Sequence, residues 1–382
     1  MKIAVDAMGG DHAPSAIVEG AVLAARQGGV EVILVGVEAK IQEELRKFDV
    51  AQLPIRIEHA DQIVDMHDAP GKVLRSKRKS SIKVGLDLVK EGMADAFVSA
   101  GNTGAVLAFS TLILRPLKGV DRPAITVQLP TLQGSSLLLD AGANVDCKAI
   151  QLFQFGVMGH AFAKYILGKE NPRVGILSIG EEDGKGNEIT KEVFHMLKKS
   201  HVNFIGNVEG KEVYRGNADV VVCDGFTGNV ALKISESLAE MIGKNLKEMF
   251  SRNWKSKLGY FLLKSQLAEF KKKVDHSETG GAPLLGVNGV CIIAHGSSSP
   301  KAIKNAIKRA NELAEKKINE HIRDDIESNL ADLDMGLWKQ IKSAFVPEIL
   351  EDGKKNNSEK AVDGNHVDSD EKPSISDKGK DA

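Results

Sequence analysis

The sequence is short of cysteine, of aromatic side chains and of net charge. Its three cysteines, Cys147, Cys223 and Cys291, are scattered over 382 residues. They form neither a disulfide framework nor a C-x-x-C metal knuckle, and they point to a reducing, cytoplasmic setting. Aromatics make up 5%, and 51 Lys plus Arg against 52 Asp plus Glu leave a net charge of −1. Affinity for a phosphate backbone needs a basic surplus, so no nucleic-acid partner is expected. No run of about 18 apolar residues occurs, so no bilayer-spanning helix is expected. The opening MKIAVDAMGGDHAP is charged and glycine-rich where a signal peptide would be apolar, and none is expected. Signature motifs are missing too. There is no G-x-G-x-x-G after a strand, no G-x-x-x-x-G-K-[ST], no H-E-x-x-H and no G-x-S-x-G. The nearest phosphate-loop candidate, Gly180-Glu-Glu-Asp-Gly-Lys-Gly186, has the wrong spacing and no hydroxyl after Lys185. No ligand cluster demands a metal, and no cofactor is expected.

What is abundant is glycine, 37 residues, within a chain that is 42% apolar. Short Val- and Ile-rich runs repeatedly stop at a small or polar cluster holding glycine. They are residues 2–10, 31–36, 96–104, 137–144, 174–180, 220–225 and 290–296, with a weaker run at 55–59. Helical stretches lie between most of them, including 15–26, 41–48, 83–91, 190–199 and 302–326. Continuous apolar strands alternating with helices predict an α/β fold, a mostly parallel doubly wound sheet with helices on both faces. Ligands of such sheets sit outside the carboxyl ends of the strands. The glycine clusters all follow strands and are therefore expected along one edge. Residues 1–330 read as the catalytic domain. Leu337, Trp338, Ile341, Phe345 and Ile349 predict a helical extension over 331–350, with Pro347 near its end. Residues 351–382 hold 15 charged residues of 32, 9 acidic and 6 basic, and predict a disordered tail.

The strand-end loops are rich in hydrogen-bond donors: Asn102, Thr103, Asn144, Lys185, Asn187, Thr227, Asn229, His295 and Ser297, beside many glycine amides. Such an edge suits anions and polarised carbonyls, and phosphate is the plausible ligand.

These loops also carry longer motifs: Asp6-Ala-Met-Gly-Gly-Asp-His-Ala-Pro14, Ser99-Ala-Gly-Asn-Thr-Gly-Ala105, Asp121-Arg-Pro-Ala124, Leu139-Asp-Ala-Gly-Ala-Asn-Val-Asp146, Glu182-Asp-Gly-Lys-Gly-Asn-Glu188, Gly206-Asn-Val-Glu209, Asp224-Gly-Phe-Thr-Gly-Asn-Val230 and Ala294-His-Gly-Ser-Ser298. In this content and order, over residues 1 to about 325, the chain resembles the PlsX-type phosphate acyltransferases of bacterial phospholipid synthesis. The resemblance implies that inorganic phosphate attacks the thioester of an acyl-acyl carrier protein, giving acyl phosphate and free carrier protein. A membrane glycerol-3-phosphate acyltransferase would then use the product. It also implies a homodimer and a fold similar to the isocitrate and isopropylmalate dehydrogenases and to phosphotransacetylase. An NAD-dependent decarboxylating dehydrogenase on that fold is the alternative; it would call for metal-binding acids and a nicotinamide pocket.

The resemblance places its catalytic lysine and asparagine on Lys185 and Asn229. The chemistry suits them. Phosphate is already an anion and the departing thiol has a pKa near ~8.5, so little acid–base help is needed. Holding the dianion and stabilising the oxyanion is a task for fixed donors. The expected phosphate- and substrate-binding groups are Gly9, Gly10 and His12; Asn102, Thr103 and Gly104; Asn144; Asp183 and Asn187; Thr227 and Gly228; and His295 and Ser297. Plainer roles stand beside these. Lys185 could be an ordinary exposed loop lysine, and Asn229 a helix N-cap. His12 and His295 could merely hydrogen-bond, and Asp183 could fix Lys185. Glu181 and Glu182 are expected to turn away from phosphate. Asp6 and Asp140 could brace their loops.

Residues 251–273 hold seven basic residues and one acid. Trp254, Leu258, Phe261 and Leu262 form a helical stripe in the segment 251–275, with Lys271 and Lys272 towards its end. A basic amphipathic segment with Trp and Phe predicts a helix that lies on an anionic membrane surface. A core or dimer helix, or a dock for an acidic carrier protein, would use the same residues. The protein is accordingly expected to be cytoplasmic and peripherally membrane-associated.

Overall fold

The computed structural model describes residues 1–274, 276–331 and 333, with the side chains of 271–274 and 276 left out. The Lys271 and Lys272 side chains, the extension expected over 331–350 (beyond Ala331 and Leu333) and the tail 351–382 therefore lie outside the described residues. In chain order the elements are β1 (Lys2–Asp6), α1 (Ser15–Gln27), β2 (Glu31–Gly36), α2 (Glu38–Leu45), β3 (Ile55–His59), α3 (Pro70–Ser76), α4 (Ser81–Lys90), β4 (Ala96–Ser99), α5 (Thr103–Ile113), β5 (Ala124–Thr131), β6 (Gly134–Leu139), α6 (Ala149–Tyr165), β7 (Arg173–Ser178), α7 (Glu188–Lys198), β8 (Asn203–Glu209), β9 (Val220–Val222), α8 (Gly225–Ser251), α9 (Trp254–Val274), β10 (Ala282–Leu285), β11 (Val290–Ile293), α10 (Pro300–Glu315) and α11 (Ile318–Ala331).

The apolar runs become strands because both faces are covered. All of β4, β9 and β11 and most of β1 and β2 are buried, as parallel strands sandwiched between helices require. Between them, α6 is apolar nearly all round and buried along most of its length, while α10 buries only Ala302, Ile303, Ala306, Ile307, Ala310 and Leu313 at helical spacing. Ser299 caps α10 and Pro300 opens it. The single helix expected over 302–326 is two. Lys317 adopts a left-handed φ of 49° and ends the first before Ile318 opens the second.

The eleven strands form one sheet in the order β3-β2-β1-β4-β11-β10-β5-β6-β9-β7-β8. Strands β3, β2, β1, β4 and β11 run parallel, as do β6, β9, β7 and β8. Between the two sets, β10 and β5 pair antiparallel on both sides. Three consecutive antiparallel pairings reverse the heading of the second set. The expected single edge is therefore corrected to two rims, one at the carboxyl ends of β1, β4 and β11, the other at those of β6, β9, β7 and β8. The rims begin close together at mid-sheet. Pro283 of β10 pairs with Ile292 near the end of β11, the next residue Leu284 pairs with Ile125, and Thr126 pairs with Leu139 at the end of β6. Ala141, Ala143 and Leu232 of the second rim also join the apolar cluster holding Val106 and Leu107 of α5, the helix that leaves the first.

Candidate active site

At the first rim a buried carboxylate gathers the loops. Asp6, the last residue of β1, accepts from the Ser99 hydroxyl at 2.7 Å and from the Met8 amide at 3.1 Å. Burial pushes its carboxyl above the ordinary range, while hydrogen bonds from Ser81, Ser99 and the Met8 and Gly9 amides pull the other way. Gly9 packs against Gly101, and the Asp11 amide donates to the Gly296 carbonyl at 2.8 Å, so the loops after β1, β4 and β11 touch. Gly10 belongs to the same junction, facing Gly296 and Ala100. Asn102 caps α5 through the Ala105 amide, and its own amide donates to the carbonyls of Asp65, Met66 and Asp68. These bonds commit it to bracing. Gly104 packs beside Pro70, and Thr103 and His12 are exposed. The Nδ1 of His295 accepts from the Ser297 amide at 3.2 Å and lies 2.8 Å from the Ser297 hydroxyl, which puts a neutral ring's proton on Nε2.

The second rim has the same device. Asp140, just past β6, is fully buried and accepts from the amides of Ile125, Gly142, Ala143 and Asn144 and from the Asn144 side chain. Burial pushes its carboxyl up, opposed by those donors. Asn144 also donates to the Pro123 carbonyl at 2.8 Å, so its amide holds the loop. Onto this loop sits the start of α8. The Gly225 amide donates to the Asn144 carbonyl at 2.7 Å, and Gly228 lies directly against the Asp140 carbonyl. The helix is capped by Asp224, which takes the Thr227 amide at 2.8 Å and its hydroxyl at 2.9 Å. Asn229 is thus corrected from a possible N-cap to a residue one turn inside α8. It is exposed, with Gly142 beside it. The first-turn amides of Gly225 and Thr227 are already taken, so what this 27-residue helix offers an anion at its start is mainly its dipole.

Lys185 belongs to the loop after β7, the strand next to β9. Its stem lies against Gly180, where a Cβ would come within 3.1 Å of its Cγ. Lys185 is exposed and makes no ion pair among the described residues. Asp183 does not fix it, since Asp183 pairs with Lys198 at 3.5 Å; Glu181 pairs with Lys211 at the same distance. Asn187 caps α7 by accepting the Thr190 amide at 2.9 Å. The structure therefore brings Lys185, Asn229, Asn144, Thr227 and Gly228 to one rim and Gly9, Gly10, His12, Asn102, Thr103, Gly104, His295 and Ser297 to the other.

The thiols are poor nucleophiles. Burial pushes Cys147 and Cys291 up to about 12 and Cys223 well above its ordinary value. None of the three is suited to carry an acyl group as a thioester.

From the second rim α8 and α9 run outward as a helical pair. Only Gly225 and Gly228 of α8 are buried, and Ile234, Leu238, Met241 and Ile242 are exposed. Trp254, Leu258, Phe261 and Leu262 of α9 are exposed by 70%, 51%, 72% and 68%, so no described residues cover them as a core helix would be covered. No described helix is long and apolar enough to cross a membrane.

Polar, helix-headed strand ends of an α/β sheet are suited to holding anionic ligands, and similarity to known proteins narrows the class. A phosphotransacetylase from Streptococcus pyogenes shares the fold with a TM-score of 0.57 at 18% identity, covering 82% of this chain and 94% of that one. A family model described as "Fatty acid synthesis protein" matches residues 1–321. A phosphate acyltransferase of Geobacter sulfurreducens is 52% identical over 328 residues, 86% of this chain and 95% of that protein, and one of Pelotomaculum thermopropionicum is 51% identical over 328 residues, 86% and 96%. The chain belongs to this phosphate acyltransferase family.

Proposed function

We propose that the protein transfers the acyl group of an acyl-acyl carrier protein to inorganic phosphate, and that the acyl phosphate supplies phospholipid synthesis. A phosphate oxygen attacks the thioester carbonyl carbon, an oxyanion forms, the C–S bond breaks, and the carrier's thiolate leaves. Lys185 offsets phosphate charge. Asn229 donates its amide N–H to the carbonyl oxygen or to phosphate, and the start of α8 adds its dipole. The observation that carries this is the pairing of roles at neighbouring strand ends: an exposed lysine after β7 with no ion-pair partner among the described residues, and an exposed asparagine in the first turns of the helix after β9. Mixing long-chain acyl-carrier protein, phosphate and enzyme should give acyl phosphate, trapped as the hydroxamate. Hydroxamate that forms equally well without phosphate would contradict the proposal.

The uncovered apolar face of α8 supports a homodimer. On α9, the exposed Trp254 and Phe261 with Lys255, Lys257 and Lys264 support docking on an anionic membrane surface. There a membrane glycerol-3-phosphate acyltransferase would receive the product. Replacing Trp254 and Phe261 by glutamate should lower sedimentation with phosphatidylglycerol-rich vesicles several-fold while helicity is kept. Unchanged sedimentation of a folded variant would remove the membrane from the account. The acidic carrier protein fits the same basic groups, and competition between vesicles and carrier protein separates the two.

A further inference from the structure

Asn207 plays no part in the scheme so far. It stands in β8 opposite Ile176 of β7 and is 8% exposed. Its amide nitrogen donates to the Glu182 carbonyl at 2.7 Å and, at the long limit of 3.5 Å, to the Lys185 carbonyl. Its Oδ1 is buried and has no hydrogen-bond partner among the described residues. Turning the amide over would aim that oxygen at two carbonyl oxygens, so the chemistry sets its orientation. A buried acceptor without a partner is unfavourable, and an apolar side chain would avoid the cost. Asn207 is therefore explained by what its donors hold. They hold the turn from Glu182 to Lys185, whose inner bond runs from the Lys185 amide to the Glu182 carbonyl at 3.0 Å. The other side-chain ties of this loop are weaker. The Asp183–Lys198 and Glu181–Lys211 pairs are more than half exposed, and such pairs constrain little.

We infer that Asn207 is a positioning residue for the reaction: it anchors the Lys185 turn to the sheet and so fixes where the ammonium meets phosphate. The inference rests on Lys185 being the charge partner proposed above. A displacement of about 1 Å in such a group can cost up to roughly a hundredfold in rate.

The test is a double-mutant cycle on the full chain, with acyl-carrier protein and phosphate as substrates. Asn207→Asp keeps the size and removes both donors. It should lower kcat about ten- to a hundredfold while KM for the acyl donor stays within about twofold. Added to Lys185→Ala, it should slow the enzyme by no more than about a further twofold, because the group it positions is already gone. A purely structural role would cost the same factor in both backgrounds, and that result overturns the inference, as does a wild-type kcat for Asn207→Asp. If Asn207→Asp fails to fold by circular dichroism, Asn207→Ala is carried through the same cycle, with amide exchange of residues 182–187 as a second readout. Faster exchange there is expected, and unchanged exchange overturns the inference. Lys185→Ala at full rate would instead sink the reading on which it rests.

Discussion

Lys185→Ala should form acyl phosphate roughly a hundred to a thousand times more slowly than the unmodified enzyme, with its fold intact. Removing one preorganised electrostatic partner of the reacting groups, here the cation held against phosphate, is expected to cost about as much as losing an oxyanion donor. The fold should not notice, because the side chain is exposed and without an ion-pair partner among the described residues. The loss should fall mainly on kcat if the lysine acts on the transition state, and on KM for phosphate if it only holds the ground state. Lys185→Arg should recover part of the rate but not all of it. A planar guanidinium keeps the charge yet cannot reproduce a compact ammonium at the same point. Initial rates of hydroxamate formation, with circular dichroism as the fold control, check this. A Lys185→Ala enzyme at full rate would falsify the assigned mechanism.

Gly228→Ala should have the largest effect on stability. A Cβ at Gly228 would sit 1.9 Å from the Asp140 carbonyl oxygen and 2.9 Å from both its carbon and the Cys223 sulfur. The nearest of these is backbone, held on one side by the pairing of β6 with β9 and on the other by the five donors on Asp140. It cannot swing aside as a flexible side chain would. Either the start of α8 lifts from the loop, or the loop breaks its bonds to Asp140. Overpacking typically costs about 1–3 kcal/mol, and a clash this close to backbone belongs at the upper end. Urea unfolding should show the midpoint fall, and activity should fail even where the chain is still folded, because Asn229 follows directly. Gly243→Ala is the control on the same helix. Its Cβ would meet nothing within 4 Å, and the change should stabilise by about 0.5–1 kcal/mol through helix propensity. A Gly228→Ala protein with unchanged midpoint and rate would mean that α8 is not seated on Asp140.

Strands were legible from short Val- and Ile-rich runs, most of them buried and stopping at a glycine-bearing cluster, with the half-exposed 55–59 run as the weak case. All eight expected runs, from Lys2–Asp6 to Val290–Ile293, are strands. Those missed lack that signature. β5 runs into Pro130 and Thr131, β8 is interrupted by Gly206 and Asn207, and β10 is four residues with Pro283 inside it. Two of the three, β5 and β10, are the antiparallel strands that reverse the second half of the sheet, which is why one edge was expected and two rims are found. Strand direction follows from pairing between distant segments, and no local pattern carries it. The bracing roles of Asp6 and Asp140 were legible, since an acid ending an apolar strand must find donors once buried. The alternative in which Asp183 fixes Lys185 fails because its ion-pair partner, Lys198, is one helix away. Asn207 left a signal that went unread: a polar residue beside glycine within a strand, where only a hydrogen-bonding task justifies burial.

The most direct measurement follows the oxygen atoms. Acyl-carrier protein is incubated with the enzyme and phosphate labelled at all four positions with oxygen-18, and the acyl phosphate is weighed by mass spectrometry before hydrolysis. Direct attack by phosphate on the thioester predicts a product carrying all four labels, formed in step with free carrier thiol. Unlabelled fatty acid as the first product, or acyl phosphate that has lost a label, would mean that water attacks first; carrier thiol released without phosphate, or in a burst ahead of acyl phosphate, would mean that a protein group does. Either result would make the account built on Lys185 and Asn229 wrong.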